Sequence, residues 1–475
     1  MNNLNAESLI KAGRSLREPF QLTVHKDDGT VCQIGVLKIL RLLPRRRIAA
    51  VAELDGRQIL VKLFIGRFAG RYTRREVRGV KAIEAAGVLT PSLEWLGTLE
   101  AEGGKVVAFE FLGGARDLID VWRESSEEER LLIMQGVISD LAKLHEGGVV
   151  QNDIHPENFL IQNGRIYTID GGDVSRKRVD KLSEGKSLDN LALFVAQFHA
   201  RHDNLMSKVL PVYESERHWQ PKDSRLENLL SQVRKKRDIR KNDYVKKAFR
   251  ECTRLSCVSR FRRFTVCERR YDSPEMQTML NDLDSAIESG QLLKNRNTAT
   301  VAKVNSPSGP LAIKRYNIKS SGHLLNRLFR KSRAWVSWGN TFRLEFLGIK
   351  TLKPVALVEE RFGPFRGRAY FITEYEQGCD ATTLAEKSNP DAEMRSIVEI
   401  LRKLEEAGVS HGDLKASNFL LTGEGAAIID LDSMTEHSLY RLKEQARIRD
   451  RARFMRNWTS APVVEKRFAD LLQAP

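Results

Sequence analysis

The chain contains 475 residues with a mass of 54.0 kDa, which is long for one ordinary hydrophobic core. Its 41% hydrophobic and 29% charged residues are typical of a folded globular protein and argue against extensive disorder. No uncharged apolar run approaches the ~18 residues that cross a bilayer, and the N-terminal segment has no apolar export signal. The five cysteines are odd in number and lack zinc-ligand spacing, which favours reduced thiols in a cytoplasmic protein.

The first apolar segments predict strands. Three apolar runs lie within Leu37–Phe64, and Asp55-Gly56 is a turn signal between the second and the third. Lys62 lies in the third run, and the amphipathic helix that follows carries Glu76 fourteen residues later. A carboxylate on that helix is a natural partner for the Lys62 ammonium, and a surface glutamate on a charged helix is the alternative.

A further strand and a long helix come next. The segment Lys105–Leu112 predicts the strand, and the helix begins with a capping box formed by Ser126 and Glu129. Apolar residues then recur at helical spacing over Ile133–Leu144. This helix leads into Gln151–Asp170, QNDIHPENFLIQNGRIYTID, which carries the most specific motif of the chain.

The motif is a set of polar residues at fixed spacing. Asp153 and Asn158 match D-[LI]-x-x-x-N, and Asp170 follows a hairpin signal at Asn163-Gly164. In phosphoryl transfer from ATP, the first aspartate of this pattern accepts the proton of the acceptor hydroxyl, while the asparagine and the second aspartate hold Mg²⁺. The segment therefore predicts a kinase catalytic loop.

This motif also gives the earlier pair of residues a function. In kinases an ammonium such as that of Lys62 contacts the α- and β-phosphates, and a helix carboxylate such as that of Glu76 positions it. The sequence has no glycine-rich phosphate loop, and LPRRRIAA takes its place. The phosphates would then be held by backbone amides and arginine side chains.

The catalytic segment recurs 260 residues later, where Asp413, Asn418 and Asp430 repeat the three polar residues. Aligning Leu141–Asp170 with Leu401–Asp430 without a gap gives 12 identities in 30 positions. Such self-similarity indicates an internal repeat of a whole catalytic half rather than a chance motif.

The second copy departs from the first in its helix. Lys314 lies in a predicted strand as the first lysine does, and Lys415 lies in the second catalytic loop; both are predicted to contact the nucleotide. Aligning the two helices puts Ser337 at the position of the first unit's glutamate, and Glu345 lies two turns later. The partner of the second lysine is therefore undetermined by sequence.

Together these features predict an α+β fold made of two tandem protein-kinase-like units, each with a β-rich small lobe and an α-helical large lobe. The predicted unit 1 is 1–250, with lobes of about 20–112 and 113–250, and unit 2 is 251–475, with lobes of about 258–376 and 377–475.

The formal net charge of +16 is unevenly distributed. Arg234–Arg270 contains 15 Lys and Arg residues against four acids, a net charge of +11. Nucleic acid, an anionic membrane surface or a phosphorylated glycolipid would each suit such a field. No recognition motif or series of stacking aromatics accompanies the charge, which makes nucleic acid the weakest of the three. A solvated helical face is the simpler alternative.

The segments REVRGVKAIEAAGVLTP, KRYN, HGDLKASNFLL and IIDLDSM resemble the lipopolysaccharide core kinases of Gram-negative bacteria, the Kdo/heptose kinase family, and the resemblance covers most of the chain as two tandem units. It implies ATP- and Mg²⁺-dependent phosphorylation of a sugar hydroxyl of the lipopolysaccharide inner core, at the cytoplasmic face of the inner membrane. An anionic glycolipid acceptor would suit the basic stretch. Unit 1 departs from the family with Gln151-Asn152-Asp153 where unit 2 has His411-Gly412-Asp413.

Two other functions stay open. A protein kinase is one, although neither unit shows a long activation segment ending in A-P-E. A scaffold with one or both units silent is the other. If only one unit is active, we expect it to be unit 1, because Lys62 has Glu76 as a partner and the second unit shows no glutamate at the matching position.

Overall fold

The computed structural model describes residues 2–100, 103–176, 180–296, 298–317, 331–363 and 365–473. The chain forms two compact units, Met1–Asp238 and Ile239–Pro475. Each unit combines a seven-stranded sheet with a mainly helical region that carries two small antiparallel sheets. The predicted α+β fold is confirmed, and within the described residues every helix is too short or too polar to cross a bilayer.

The small lobe of unit 1 is a closed sheet with two helices. Its strands follow the order β1-β2-β3-β4-β5-β7-β6, and β6 pairs back onto β2. Its elements are β1 (Asn2–Leu4), α1 (Ala6–Ala12), β2 (Phe20–Lys26), β3 (Val31–Leu43), β4 (Arg47–Leu54), β5 (Arg57–Ile65), α2 (Ala69–Ala85), β6 (Leu93–Leu99) and β7 (Gly104–Glu110).

Apolar alternation explains this sheet. Phe20, Leu22 and Val24 of β2 face a dry interior while the residues between them are only half-buried, as a period of two requires. The central strand β5 is buried on both faces, because α2 packs Val80 against Phe64 on the outer side. This packing brings α2 beside the strand that carries the first lysine.

The large lobe of unit 1 is built around α4, which begins with the predicted Ser126–Glu129 capping box. Its elements are β8 (Arg116–Asp117), α3 (Leu118–Glu124), α4 (Glu127–Glu146), β9 (Val149–Gln151), β10 (Phe159–Gln162), β11 (Arg165–Thr168), β12 (Val174–Arg176), α5 (Glu184–Val195), α6 (Met206–Glu216) and α7 (Asp223–Lys247), within which the division between the units falls.

Unit 2 repeats this plan with an open seven-stranded sheet in the order β13-β14-β18-β19-β17-β16-β15. The small-lobe elements are β13 (Leu255–Ser259), β14 (Arg263–Glu268), α8 (Pro274–Asn281), α9 (Leu283–Ser289), β15 (Gln291–Arg296), β16 (Ala299–Ser306), β17 (Gly309–Tyr316), α10 (Arg333–Phe346), β18 (Pro354–Phe362) and β19 (Phe365–Glu374).

The large lobe of unit 2 packs α11 against a buried aromatic group of Phe419, Phe454 and Phe468. Its elements are β20 (Cys379–Asp380), α11 (Asp391–Glu406), β21 (Val409–Ser410), β22 (Phe419–Thr422), β23 (Gly425–Ile428), β24 (Thr435–Glu436), α12 (Tyr440–Met455) and α13 (Pro462–Gln473).

In each unit the helix of the small lobe, α2 in unit 1 and α10 in unit 2, packs closely against the backbone that follows the catalytic hairpin. In unit 1, a Cβ added to Gly79 would lie 1.9 Å from the carbonyl oxygen of Gly171, so only glycine permits this approach. In unit 2, Asn340 of α10 instead donates a hydrogen bond to the carbonyl of Leu431, at 2.8 Å. Both contacts fix the helix relative to the aspartate that follows the hairpin.

We expect Gly79→Ala to destabilise unit 1 by about 1–3 kcal/mol, the usual cost of overpacking against a neighbour that cannot move freely. Hydrogen–deuterium exchange over α2 of the full chain measures the effect. Gly70→Ala, in the same helix with nothing within 4 Å, is the matched control and should slow exchange slightly. Equal protection in the two variants would contradict the packing argument.

Candidate active site

The two catalytic loops have the same internal hydrogen bonds. Asn158 donates its side-chain amide to the main-chain carbonyl of Asp153, and Asn418 does so to Asp413, each at 2.8 Å. These bonds hold each asparagine against the backbone of the aspartate five residues before it, and they leave each amide oxygen available to accept or ligate.

Each hairpin ends on an aspartate in the left-handed region. Asp170 has φ 68° and Asp430 has φ 64°, a conformation that aspartate adopts more readily than most residues. The preceding residue fixes the turn, because Ile169 and Ile429 donate their N–H groups to the carbonyls of Asn158 and Asn418 at 2.8 Å. The predicted asparagine and aspartate of each unit are thus brought together.

The altered loop entrance of unit 1 keeps the hydrogen bond of unit 2. His411 is buried and its Nε2 donates to the carbonyl of Ile429 at 3.0 Å; Gln151 is buried and donates its amide to the carbonyl of Ile169 at 3.5 Å. Burial lowers the pKa of His411, which keeps the ring neutral with its proton on Nε2. Glutamine and neutral histidine therefore perform the same contact.

In unit 1 the predicted lysine and glutamate form a pair. Lys62 Nζ lies 2.5 Å from Glu76 Oε1, and Glu76 is fully buried. Lys62 is also 3.5 Å from Asp170, whose two oxygens accept hydrogen bonds from Arg47 at 3.0 and 3.4 Å. Burial alone would raise the pKa of Asp170, but Lys62 and Arg47 lower it to about 2.

In unit 2 a different carboxylate takes the role of a helix glutamate. Lys314 Nζ lies 2.5 Å from Asp430 and 4.0 Å from Asp432, and Asp432 is 2.5 Å from Arg333 at the start of α10. Ser337, at the position of the first unit's glutamate, instead shares a hydrogen bond with the hydroxyl of Tyr316. Burial alone would lower the pKa of Lys314, but Tyr316, Asp430 and Asp432 raise it.

The two predicted proton acceptors have different surroundings. Asp413 is held by Lys415 and by Arg453, each at 2.8 Å, with 38% of its side chain exposed. Burial would raise the pKa of Asp413, but Lys415 and then Arg453 lower it, so it is a carboxylate at neutral pH. Asp153 has 74% of its side chain exposed and lies 4.0 Å from His155.

Sequence reasoning missed four of these contacts. Arg333, Asp432 and Arg453 were not singled out, Arg47 was included only as one arginine of LPRRRIAA, and Glu345 was considered as a partner for the second lysine. Glu345 instead accepts hydrogen bonds from Tyr244 and Arg254, at 3.0 and 2.7 Å. The second acid of IIDLD was the one signal in the sequence that pointed to Asp432.

Magnesium prefers oxygen ligands in octahedral geometry, and each loop offers an amide and a carboxylate oxygen. The donor set of unit 2 fits the ion, because Lys314 donates to Oδ1 of Asp430 and, in the described residues, no arginine is hydrogen-bonded across both of its oxygens. In unit 1 the Arg47 guanidinium already donates to both oxygens of Asp170, so a divalent cation would bind beside this positive charge or displace it. No group of three or more His, Cys, Asp or Glu side chains in the described residues is arranged as a metal site.

We expect Asp432→Asn to weaken nucleotide binding by unit 2 about tenfold or more, since it leaves two partly buried cations without their shared carboxylate. Calorimetry with Mg·ATP on full chain that also carries Lys62→Ala isolates this unit. Glu345→Gln is the matched control and should change the affinity by about twofold at most, because this acid pairs elsewhere. Unchanged affinity in Asp432→Asn would remove this residue from the site.

Three curated proteins illustrate the similarity of this chain to known proteins. A KEOPS complex subunit Bud32 of Pyrococcus abyssi is 30% identical over 100 residues, 21% of this chain and 43% of that protein. A probable serine/threonine-protein kinase BUD32 homolog of Archaeoglobus fulgidus is 32% identical over 105 residues, which are 22% of this chain and 45% of that protein. A probable bifunctional tRNA threonylcarbamoyladenosine biosynthesis protein of Methanococcus maripaludis is 24% identical over 148 residues, which are 30% of this chain and 25% of that protein.

The chain thus spans less than half the length of these relatives. A family described as the lipopolysaccharide kinase (Kdo/WaaP) family has a model that matches residues 296–474. This span contains Lys314, Asp413, Asn418 and Asp430, and it confirms the resemblance that the motifs predicted. Residues 296–474, and with them most of unit 2, match the model of the lipopolysaccharide kinase (Kdo/WaaP) family.

Proposed function

We propose that the chain is an ATP-dependent phosphotransferase, that unit 2 transfers the phosphate to a sugar hydroxyl of the lipopolysaccharide inner core, and that unit 1 binds nucleotide. The observation that carries the proposal is the cleft of unit 2, where Lys314, Asp430 and Asp413 lie within the span that matches the lipopolysaccharide kinase family.

Asp413 is the group that receives the acceptor hydroxyl. Its carboxylate stays ionised between Lys415 and Arg453, so it can accept a hydrogen bond from the hydroxyl and take its proton as the oxygen attacks the γ-phosphorus. A carboxylate with a lowered pKa is a weak base, and its main contribution is then orientation of the hydroxyl. The bond from the γ-phosphorus to the bridging oxygen breaks, and ADP leaves.

The other residues hold the nucleotide. Lys314 contacts the α- and β-phosphates, and Lys415, 2.8 Å from Asp413, neutralises the phosphoryl group in transit. Asn418 and Asp430 would hold Mg²⁺, which supplies charge neutralisation on the phosphates when it is bound. In unit 1 the corresponding residues are Lys62, Glu76, Asp153, Asn158 and Asp170.

Three contacts favour unit 2 over unit 1 for the chemistry, although the sequence favoured unit 1. The reason for that expectation was the absence of a glutamate partner for the second lysine, and Asp432 together with Arg333 supplies a buried counterpart. Asp413 is held by two cations whereas Asp153 is largely exposed.

We expect Asp413→Asn to reduce transfer of radiolabelled phosphate from ATP to purified core lipid A by about 10²–10⁴-fold, the usual contribution of a positioned acid–base group. Asp153→Asn is the matched control, at the same position of the other loop, and should leave transfer near that of the unaltered chain. The reverse result would assign the chemistry to unit 1, and labelling of a generic protein substrate instead of the lipid would favour a protein kinase.

The anionic partner is proposed to meet a cationic face on α2. At least seven of the fifteen cations of Arg234–Arg270 pair with acids, including Arg237 with Asp203 and Arg254 with Glu268. By contrast, exposed cations spaced three or four residues apart share one face of α2 and have no acidic partner within the described parts of the chain. They are Arg71, Arg74, Arg78 and Lys81, and they line a groove of about 760 Å³ with Arg176.

We expect reversal of Arg71, Arg74 and Arg78 to glutamate to weaken binding to phosphatidylcholine vesicles that contain lipopolysaccharide by more than about tenfold at low salt, because each surface cation contributes about 1 kcal/mol. Vesicle flotation measures the effect. Reversal of Arg234, Lys235 and Lys247, three exposed cations of α7, is the control of equal charge and should weaken binding less. If the control weakens binding more than the α2 variant does, the anionic partner binds the basic stretch Arg234–Arg270 instead of α2.

A further inference from the structure

We propose that unit 1 binds its polyphosphate ligand, a nucleoside triphosphate, without a divalent cation, because Arg47 supplies the positive charge that a metal ion would bring to Asp170. This inference rests on the proposed nucleotide binding by unit 1 and adds its metal requirement.

The pleat of the sheet places Arg47 where it can do this. In the register of β4 and β5, Ala49 lies opposite Lys62 and Arg47 lies opposite Phe64. Residues two apart on a strand share a face, and so do cross-strand partners, so the side chains of Arg47 and Lys62 leave the sheet on the same side. Both reach the carboxylate of Asp170.

Unit 2 offers an internal comparison. In its register Val301 lies opposite Lys314 and Ala299 lies opposite Tyr316. Ala299 therefore occupies the position of Arg47, and a methyl group cannot pair with a carboxylate. Among the described residues, Lys314 donates a hydrogen bond to Asp430, and no guanidinium lies at the matching strand position.

The pair in unit 1 is also enclosed. The side chains of Arg47 and Asp170 are only 14% and 12% exposed. A Cβ added to Gly172 would lie 3.4 Å from Asp170 Oδ1 and 3.7 Å from Arg47 Nη1, so the main chain closes one side of the pair. A divalent ion beside Asp170 would face two buried cations, Arg47 and Lys62, at short range, and their repulsion opposes its binding.

The ligand class follows from the charges that remain. Lys62 has three donors and Arg47 has five, of which two are directed at Asp170. Guanidinium groups bind phosphate oxygens through paired N–H donors, and Arg41 lies close enough to lower the pKa of Asp170 further. The three cations Lys62, Arg47 and Arg41 outnumber the two carboxylates, those of Glu76 and Asp170. The remaining positive charge suits a chain of phosphates.

The experiment is calorimetry of ATP binding to full chain that carries Lys314→Ala, which removes the phosphate contact of unit 2, in Mg²⁺ and in EDTA. The expected affinity in EDTA lies within about threefold of that in Mg²⁺. The reciprocal Lys62→Ala chain reports on unit 2, and its affinity for ATP should be at least tenfold lower in EDTA than in Mg²⁺. A tenfold or greater loss in the Lys314→Ala chain would overturn the inference.

Arg47→Gln in the Lys314→Ala background tests the residue itself. Without the guanidinium, binding in EDTA should fall at least tenfold and Mg²⁺ should restore it, because Asp170 becomes free to hold the ion. Arg57→Gln, on the neighbouring strand β5 and paired with Glu94 at 2.5 Å, is the matched control and should leave binding in EDTA unchanged. Equal behaviour of the two variants contradicts the role of Arg47.

Failure of the inference differs from failure of the proposed function. Binding by the Lys314→Ala chain in Mg²⁺ but not in EDTA overturns the inference alone, whereas absence of binding in both conditions overturns nucleotide binding by unit 1 as well. The comparison of Mg²⁺ with EDTA leaves Arg47 intact, so it decides the question even if Arg47→Gln unfolds unit 1, which thermal unfolding would reveal.

Discussion

A lysine held in a cleft that is nearly closed to water is stable only when carboxylates face it, and this requirement shapes both units. Unit 1 meets it with Glu76, which α2 carries against the sheet. Unit 2 meets it from the other side, with Asp432 on the turn after the hairpin and Arg333 bridging to α10. The positions of α2 and α10 relative to the two lysines therefore depend on where the carboxylate that pairs with each lysine lies.

A second constraint is a main-chain carbonyl that faces the interior behind each hairpin. Gln151 and His411 both satisfy it with a nitrogen donor, and each retains one side-chain atom without a partner in the described residues, Oε1 and Nδ1. The divergence of the loop entrance is therefore conservative in hydrogen bonding. What distinguishes the loops is the environment of the aspartate two residues later.

Local sequence predicted much of the fold and part of the site. The strands of the first small lobe, the capping box at Ser126 and the hairpin at Asn163-Gly164 depend on neighbouring residues and were found. The spacing of the catalytic loops also placed Asn158 and Asp170 together, because a short hairpin joins them. The family match bears out the resemblance for residues 296–474.

The contacts that were missed depend on tertiary packing. Arg47 meets Asp170 across 123 residues of chain, and Arg453 meets Asp413 across 40. Neither distance leaves a periodic signal, and arginines in a basic chain are too common to stand out. A count of charges along the basic stretch likewise contains no information on the acids that fold back onto some of its cations, such as Asp189 on Lys236 and Asp203 on Arg237.

The closure of one small-lobe sheet and not the other separates the units in a further way. In unit 1 the pairing of β6 with β2 leaves, among the described strands, only the three-residue β1 with a free edge. In unit 2 the sheet ends at β13 and β15, and β15 exposes Leu292 and Leu293. Free apolar edges accept additional strands through main-chain hydrogen bonds. Strand addition, whether by a partner peptide or by aggregation, is therefore expected at the second small lobe rather than the first.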